Sequence, residues 1–306
     1  MSETKKSIAI IGAGPASYTA AKDFVNAGFA VDIYDKNDEL GGAIYTGIPD
    51  WRIPASFRER VKKELDELGV SFHFNTTVGK DITVDDLLKD HDSVLVAIGA
   101  QVENTFGLSA KEGYEAGLTL LYNLNILNEY DQYKEKFHKA LVWGGGNVAM
   151  DCCRSLRRLL DDVTVIYRRS EAEMPASKKE LSDSEAEGVK FSYLTNIKEL
   201  ILDDNGKVTG VKAVEMELGE PDESGRRRPV EKAGSDYVID CDLVVAAIGQ
   251  KVDLSAVDAG LEKTEGHKTN KENVYIAGDA LYGPKTIGAA VMDGKAVAKE
   301  MIEALA

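Results

Sequence analysis

Two short glycine-rich stretches carry the residues best suited to chemistry. Gly12-Ala13-Gly14-Pro15-Ala16-Ser17 follows the apolar run Ile8–Ile11, and Gly144-Gly145-Gly146-Asn147-Val148-Ala149 follows Ala140–Trp143. In such a turn the first glycine permits a sharp exit from a strand. The next lets the backbone approach a pyrophosphate, and a small residue at the end lets helix and strand pack closely. The helix that follows offers free N–H groups and a partial positive charge to that phosphate. One motif of this kind is weak evidence. Two, with Ala277-Gly278-Asp279 near the end of the chain, imply one protein that holds two dinucleotides. The chemistry that needs both is the passage of hydride or electrons between them.

The residues after each second strand distinguish the two sites. Asp35 ends the run Ala30–Tyr34, where a carboxylate accepts hydrogen bonds from a ribose hydroxyl pair, so that nucleotide lacks a 2′-phosphate. Val163–Tyr167 ends instead in Arg168-Arg169. Guanidinium groups bind phosphate bidentately and a carboxylate repels it, which favours NADP(H) over NAD(H) at the second site. Asp279 follows a buried strand, placed to hold ribityl or ribose hydroxyls. A helix beginning near Thr286 can direct its positive N-terminus at a flavin ring.

These turns need strands and helices to carry them. Strands at Ile8–Ile11, Ala30–Tyr34 and Val70–Phe74 alternate with helices over Pro15–Ala27 and Phe57–Leu68, a pattern of parallel α/β structure. Asp92–Gly99 and Asp242–Gly249 are near-copies, each a buried strand ending in glycine downstream of one fingerprint. Between them, Lys190–Tyr237 reads as an antiparallel meander: Phe191–Leu194, Glu199–Leu202, a hairpin turn at Asp204-Asn205-Gly206, then Val208–Leu218. Lys178–Glu187 reads as a solvated helix face. The expected division is a discontinuous domain of residues 1–105 plus 243–306, with 106–242 inserted.

The composition narrows the function. The chain has 306 residues, 43% hydrophobic and 29% charged, enough for about two domains. Its apolar runs are strand-length, far short of the roughly 20 residues of a membrane span. A net charge of −15 argues against nucleic acid or anionic membrane as a partner. The opening Met1–Lys6 has no export-signal pattern, so a cytoplasmic location is expected. Cys152, Cys153 and Cys241 form no CxxC and no four-cysteine set, and the four histidines have no ligand spacing, so no metal is expected. A bond between the neighbours Cys152 and Cys153 in a helix is strained, so they read as small packed side chains.

Longer strings carry a family resemblance. Gly41-Gly42 with Gly47-Ile48-Pro49-Asp50-Trp51-Arg52-Ile53-Pro54, the second fingerprint through Asp151, and Tyr167–Ala176 resemble the small subunit of bacterial glutamate synthase. So do Met216–Pro221 and Gly225–Pro229. The NADP-binding subunit of electron-bifurcating NADH-dependent ferredoxin:NADP oxidoreductase is a relative. The likeness covers residues 7 to 304. It implies an α/β fold of two Rossmann-like domains, the two-dinucleotide flavoprotein type, with an antiparallel β-meander. FAD is then expected along Gly12, Gly14, Pro15, Ala16, Asp35, Lys36, Gly42, Arg52, Gly99, Gly278, Asp279 and Thr286. NADP(H) is expected along Gly145, Gly146, Asn147, Val148, Arg168, Arg169 and Gly249. No side chain need act as acid or base, because hydride transfer is cofactor chemistry.

The departures shape the expected function. The family's small subunits carry a cysteine-rich iron–sulfur domain ahead of the FAD fingerprint, and here 11 residues precede Gly12. The expectation is a flavin–pyridine nucleotide module that works with an iron–sulfur protein in a hetero-oligomer. Asp35 replaces the more usual glutamate, and Lys285 is expected near the flavin. Arg226–Arg228 is a candidate docking or phosphate patch. The alternatives are a stand-alone reductase of thiols or small molecules, a monooxygenase, and a non-catalytic redox scaffold. The sequence leaves open the electron acceptor, the direction, bifurcation, the flavin potential and the assembly.

Overall fold

The computed structural model describes residues 5–223 and 225–306. Met1–Thr4, part of the stretch expected to lack an export signal, lie outside the described residues. In chain order the elements are β1 (Ser7–Ile11), α1 (Pro15–Asn26), β2 (Ala30–Tyr34), α2 (Ala43–Thr46), α3 (Ala55–Glu67), β3 (Ser71–His73), α4 (Val84–Asp90) and β4 (Ser93–Val96). Then follow β5 (Val102–Glu103), β6 (Tyr114–Ala116), α5 (Gly117–Asn125), α6 (Tyr130–Lys136), β7 (Lys139–Trp143), α7 (Asn147–Arg157), β8 (Asp162–Tyr167), α8 (Lys178–Ala186) and β9 (Lys190–Tyr193). The chain closes with β10 (Thr195–Leu202), β11 (Val208–Pro221), β12 (Arg227–Asp240), β13 (Leu243–Ala246), β14 (Gln250–Lys251), β15 (Val274–Ile276), α9 (Asp279–Tyr282) and α10 (Ile287–Leu305). They form two compact units, Met1–Val102 with Gln250–Ala306, and Glu103–Gly249.

The first unit is built on a parallel sheet ordered β15-β4-β1-β2-β3. Its strands alternate their side chains between two apolar faces, as the pleat requires. Ile8 and Ile10 pack with Phe24 of α1 and Val297 and Met301 of α10. Ala9 and Ile11 turn the other way, onto Val84 and Leu87 of α4. Local signals start and stop the helices. Pro15 occupies the first turn of α1, where its missing N–H costs nothing. A reciprocal box between Thr83 and Asp86 opens α4. Phe24 is fully buried, and its truncation to alanine is worth about 3–5 kcal/mol.

The second unit repeats the plan with a parallel sheet ordered β6-β13-β7-β8-β9. Ala140 and Val142 face α5 and α7. Leu141 and Trp143 face Ile197, Val208 and Val211 of an antiparallel sheet, β10-β11-β12. The meander therefore covers the face that α4 covers in the first unit. Its first hairpin turns at Gly206 (φ +81), with the Asp203 carboxylate accepting from the Asn205 and Lys207 amides, each at 2.9 Å.

Three expectations are corrected. Phe191–Tyr193 belongs to β9, which pairs in parallel with β8 as the sheet's edge strand. Leu194 (φ +51) breaks the chain there, and the meander runs from Thr195 to Asp240. Leu243–Ala246, expected in the first domain, pairs with β6 and β7 of the second sheet, so the return to the first unit comes at Gln250. The charged α8 is more than a solvated face. Glu180, Asp183 and Glu187 converge on the buried Arg154 of α7, at 2.8, 3.7 and 2.6 Å.

Candidate functional site

Each unit carries a glycine fingerprint at a strand–turn–helix junction, and these two junctions are made alike. The Gly12 amide donates to Tyr34 O at 2.7 Å, and the Gly144 amide to Ile166 O at 3.0 Å. Gly12 has φ +99, and a Cβ on it would lie 2.5 Å from Ala97 O. Gly144 has φ +145, and its Cβ would lie 2.1 Å from Ala247 O. No other residue fits either place. The near-copies upstream of these contacts share a further device. The Asp92 carboxylate accepts from the Ser7 amide at 2.7 Å, and the Asp242 carboxylate from the His138 and Lys139 amides at 2.9 Å. Each aspartate thus ties the strand it precedes, β4 or β13, to the start of the neighbouring fingerprint strand.

The helix N-termini beside these turns are open. Gly14 caps α1 and Gly146 caps α7, both in extended backbone (φ −82 and −92). A Cβ on either would meet nothing within 4 Å. Each therefore faces open space in front of a helix N-terminus, the cradle that a phosphate needs.

Around Gly14 the structure gathers most of the predicted FAD residues. A Cβ on Gly42 (φ +55) would lie 2.9 Å from Gly14 Cα, and the Gly41 amide donates to Ala13 O at 2.9 Å. Gly278 abuts Ala16, and Gly294 of α10 lies against Ala16 O. Ser17 is fully buried, which suits the close packing expected of it. Thr286 caps α10 by accepting from the Ala289 amide at 3.1 Å. Gly99 has φ +72 with open space beside it, Lys36 is exposed, and Arg52 is half-buried. A cleft of about 360 Å³ is lined by Gly278, Asp279, Tyr282, Lys285, Ala289 and Asp293 among others. Lys285 spans its rim, with Nζ 4.4 Å from the centre of the Tyr282 ring and its amide donating to Asp279 at 3.1 Å. Burial pushes the Asp279 carboxyl up, and Lys285 opposes that rise.

Asp35 has a second task that the sequence did not show. Its Oδ2 accepts from the Ala13 amide at 2.7 Å, inside the glycine turn, and its Oδ1 from the Asn37 amide and side chain at 2.8 and 3.0 Å. Burial pushes its pKa up against these three hydrogen bonds. A carboxylate has about four acceptor positions, so one remains for a ribose hydroxyl. Asp35→Ala is expected to cost about 1–3 kcal/mol of stability by orphaning the Ala13 amide, read as a lower melting midpoint without any ligand.

At the second junction the two arginines have parted company. Arg168 is exposed and makes no ion pair or hydrogen bond among the described residues. Arg169 is buried, its Nη2 donating to Asp222 at 2.6 Å and its Nε to Arg227 O at 2.7 Å. Arg227 in turn donates to Glu173 at 2.5 Å. The tip of the β11–β12 hairpin is thus pinned to the segment after β8, which accounts for part of the basic run expected to dock a partner. Gly145 packs on the Tyr167 ring, whose hydroxyl donates to Glu173 O at 2.8 Å. Asn147 is exposed, Val148 packs on Gly117, and Gly249 (φ +108) opens onto free space.

Cys152 and Cys153 are fully buried, and burial raises both thiols, Cys153 to about 12. Neither is a ready thiolate. Among the described residues no helix is long and apolar enough to cross a membrane.

Comparison with known proteins gives these junctions a context. The family model described as pyridine nucleotide-disulphide oxidoreductase matches residues 6–294. The chain is 39% identical to the beta subunit of NADP(+)-dependent formate dehydrogenase from Moorella thermoacetica, over 96% of this chain and 43% of that one. It is 32% identical to the glutamate synthase [NADPH] small chain of Escherichia coli (strain K12), over 97% of this chain and 68% of that one. It spans about half the length of several of the curated relatives it matches. In fold it is similar to Mycobacterium tuberculosis FprA, solved in complex with NADPH, with a TM-score of 0.84 at 21% identity over 99% of this chain and 85% of that one. It is also similar in fold to T. acidophilum thioredoxin reductase, with a TM-score of 0.70 at 18% identity over 98% of this chain and 99% of that one. With two open glycine cradles on a two-dinucleotide fold, the chain belongs to the pyridine nucleotide-disulphide oxidoreductase family, whose members are FAD-dependent oxidoreductases.

Proposed function

We propose that this chain moves hydride between NADP(H), held by the second unit, and FAD, held by the first, and exchanges electrons with an iron–sulfur protein. The observation that carries the proposal is the contrast between two otherwise matching junctions. One ends its second strand in a buried carboxylate, Asp35, and the other in a free, exposed guanidinium, Arg168. The first suits a ribose and the second a 2′-phosphate. FAD supplies the hydride and one-electron chemistry when bound. The chain's own part is to hold and orient. Gly14 and the N-terminus of α1 take the pyrophosphate of FAD, and Asp35 takes one ribose hydroxyl. Asp279 holds ribityl oxygens, and the N-terminus of α10 beyond Thr286 presents N–H groups to the flavin ring. Gly146, Asn147 and Val148 take the second pyrophosphate, and Gly249 leaves room for the nicotinamide.

That several relatives are subunits supports a protein partner, and the resemblance to the glutamate synthase small subunit suggests an iron–sulfur one. The Moorella protein and the NADPH-Fe(3+) oxidoreductase protein of Geobacter sulfurreducens are both beta subunits. A hetero-oligomer in the cytoplasm is the assembly we infer. Calorimetric titration tests the nucleotide choice: NADPH is expected to bind at least tenfold more tightly than NADH, and equal affinity refutes the role given to Arg168.

The thiol-reductase reading is disfavoured by the burial of Cys152 and Cys153. A Cys152→Ala/Cys153→Ala variant is expected to keep NADPH-dependent flavin reduction within about twofold. Loss of electron delivery to the natural acceptor in that variant restores the thiol reading.

A further inference from the structure

His267 lies in the loop ahead of β15 and is 9% exposed. Its Nδ1 is 2.7 Å from Glu300 Oε2, and its Nε2 is 3.0 Å from Asp293 Oδ1. Both carboxylates project from α10, about two turns apart. A neutral imidazole has one N–H and one lone pair, so it would set that lone pair against one of the two carboxylates. An imidazolium donates to both. The second oxygen of Asp293 accepts from the Gly278 amide at 2.6 Å.

That amide belongs to a turn that needs holding. Gly278 has φ +67 and ψ −146, a conformation L-residues rarely adopt, and a Cβ there would crowd Ala16 at 3.0 Å. His267 also grips the strand leading into this turn, since the Ile276 amide donates to His267 O at 2.8 Å. The chain Glu300, His267, Asp293, Gly278 therefore ends on the residue before Asp279. Asp293 itself lines the cleft.

We propose that His267 is a positioning residue for the flavin site, acting as an imidazolium that locks Asp293 onto the Gly278 amide and so fixes Asp279. The proposal rests on reading the Gly278–Asp279 turn as part of the FAD site. The titratable groups facing His267 are Asp293 and Glu300 on α10, with Tyr275 of β15 beside Glu300. The hydrogen bond to Asp293 raises the imidazole above its ordinary 6.5; burial opposes that rise, and the hydrogen bond to Glu300 adds to it. A raised histidine pKa contributes its stabilisation below the ordinary value and loses it as pH climbs through the folded value. FAD affinity inherits that dependence.

The test is FAD binding to the flavin-stripped full chain, read by quenching of flavin fluorescence from pH 6 to 9.5. His267→Gln and Glu300→Gln are compared with the natural chain, and melting midpoints are recorded alongside. The natural chain is expected to hold FAD at constant affinity at low pH and to weaken about tenfold across the histidine titration. His267→Gln is expected to be about tenfold weaker already at pH 6 and to lose that pH dependence. Glu300→Gln, altered at a partly exposed carboxylate, is expected to keep its low-pH affinity and begin to weaken at lower pH. A flat profile in the natural chain overturns the proposal. So do variants that melt earlier yet titrate like the natural chain, and so does an unmoved midpoint in Glu300→Gln. A natural chain that binds no FAD at any pH refutes the flavin reading itself.

Discussion

Replacing Arg168 by alanine is expected to weaken NADPH binding about 30-fold while leaving NADH within about twofold. A charge-assisted, bidentate contact to a phosphate is worth about 2 kcal/mol, which is that ratio. The neighbouring substitution should behave differently. Arg169 is already bound to Asp222 and to Arg227 O. Arg169→Ala is expected to lower the melting midpoint, because it removes a charged donor from the half-buried Asp222 carboxylate and from Arg227 O. Its effect on the NADPH/NADH ratio should be smaller than that of Arg168→Ala. Paired calorimetry and melting curves on the two variants check this directly. Equal loss of nucleotide discrimination in both would mean that the buried guanidinium turns outward to the ligand.

The second large effect separates the glycines that the fold needs from those the ligand needs. Gly146→Ala places a methyl group in open space, in backbone that alanine adopts without strain (φ −92, ψ −178). The second unit should keep its melting midpoint within about 1–2 °C. Its NADPH affinity should fall by about 100-fold or more, because the methyl occupies the approach of the pyrophosphate. Gly144→Ala drives a Cβ to 2.1 Å from Ala247 O, with φ at +145. That substitution should destabilise the unit by several kcal/mol and reduce soluble yield. Differential scanning calorimetry with NADPH titration distinguishes the two. A Gly146→Ala variant that folds and binds NADPH normally would remove the cradle from the account.

Much of this was legible in the sequence because the glycine turns and the Asp92 and Asp242 strings are local signals. Gly12 and Gly144 need a left-handed conformation and a bare Cα, so spacing alone identifies them. Four features were not legible, for physical reasons. The alternation of Lys190–Tyr193 shows a strand but not its partner, so a parallel edge strand read as the start of the meander. Arg168 and Arg169 are adjacent at a strand end, where successive side chains point to opposite faces. Sequence identifies both as basic and says nothing of which one the β11–β12 tip will claim. His267 gave no signal at all, since its partners Asp293 and Glu300 stand on α10 and only folding brings them to one ring. Asp35 was read correctly as a strand-end acid, but its bond to the Ala13 amide depends on how the turn closes over it.

The most direct measurement is an anaerobic visible titration of the purified, FAD-loaded chain with NADPH and, separately, with NADH. Flavin absorbance near roughly 450 nm is expected to bleach with NADPH at a concentration at least tenfold below that needed for NADH. Bleaching by NADH alone, or at equal concentrations of the two, would contradict the assignment of Arg168. FAD that stays oxidised with both nucleotides would contradict hydride transfer between the two units.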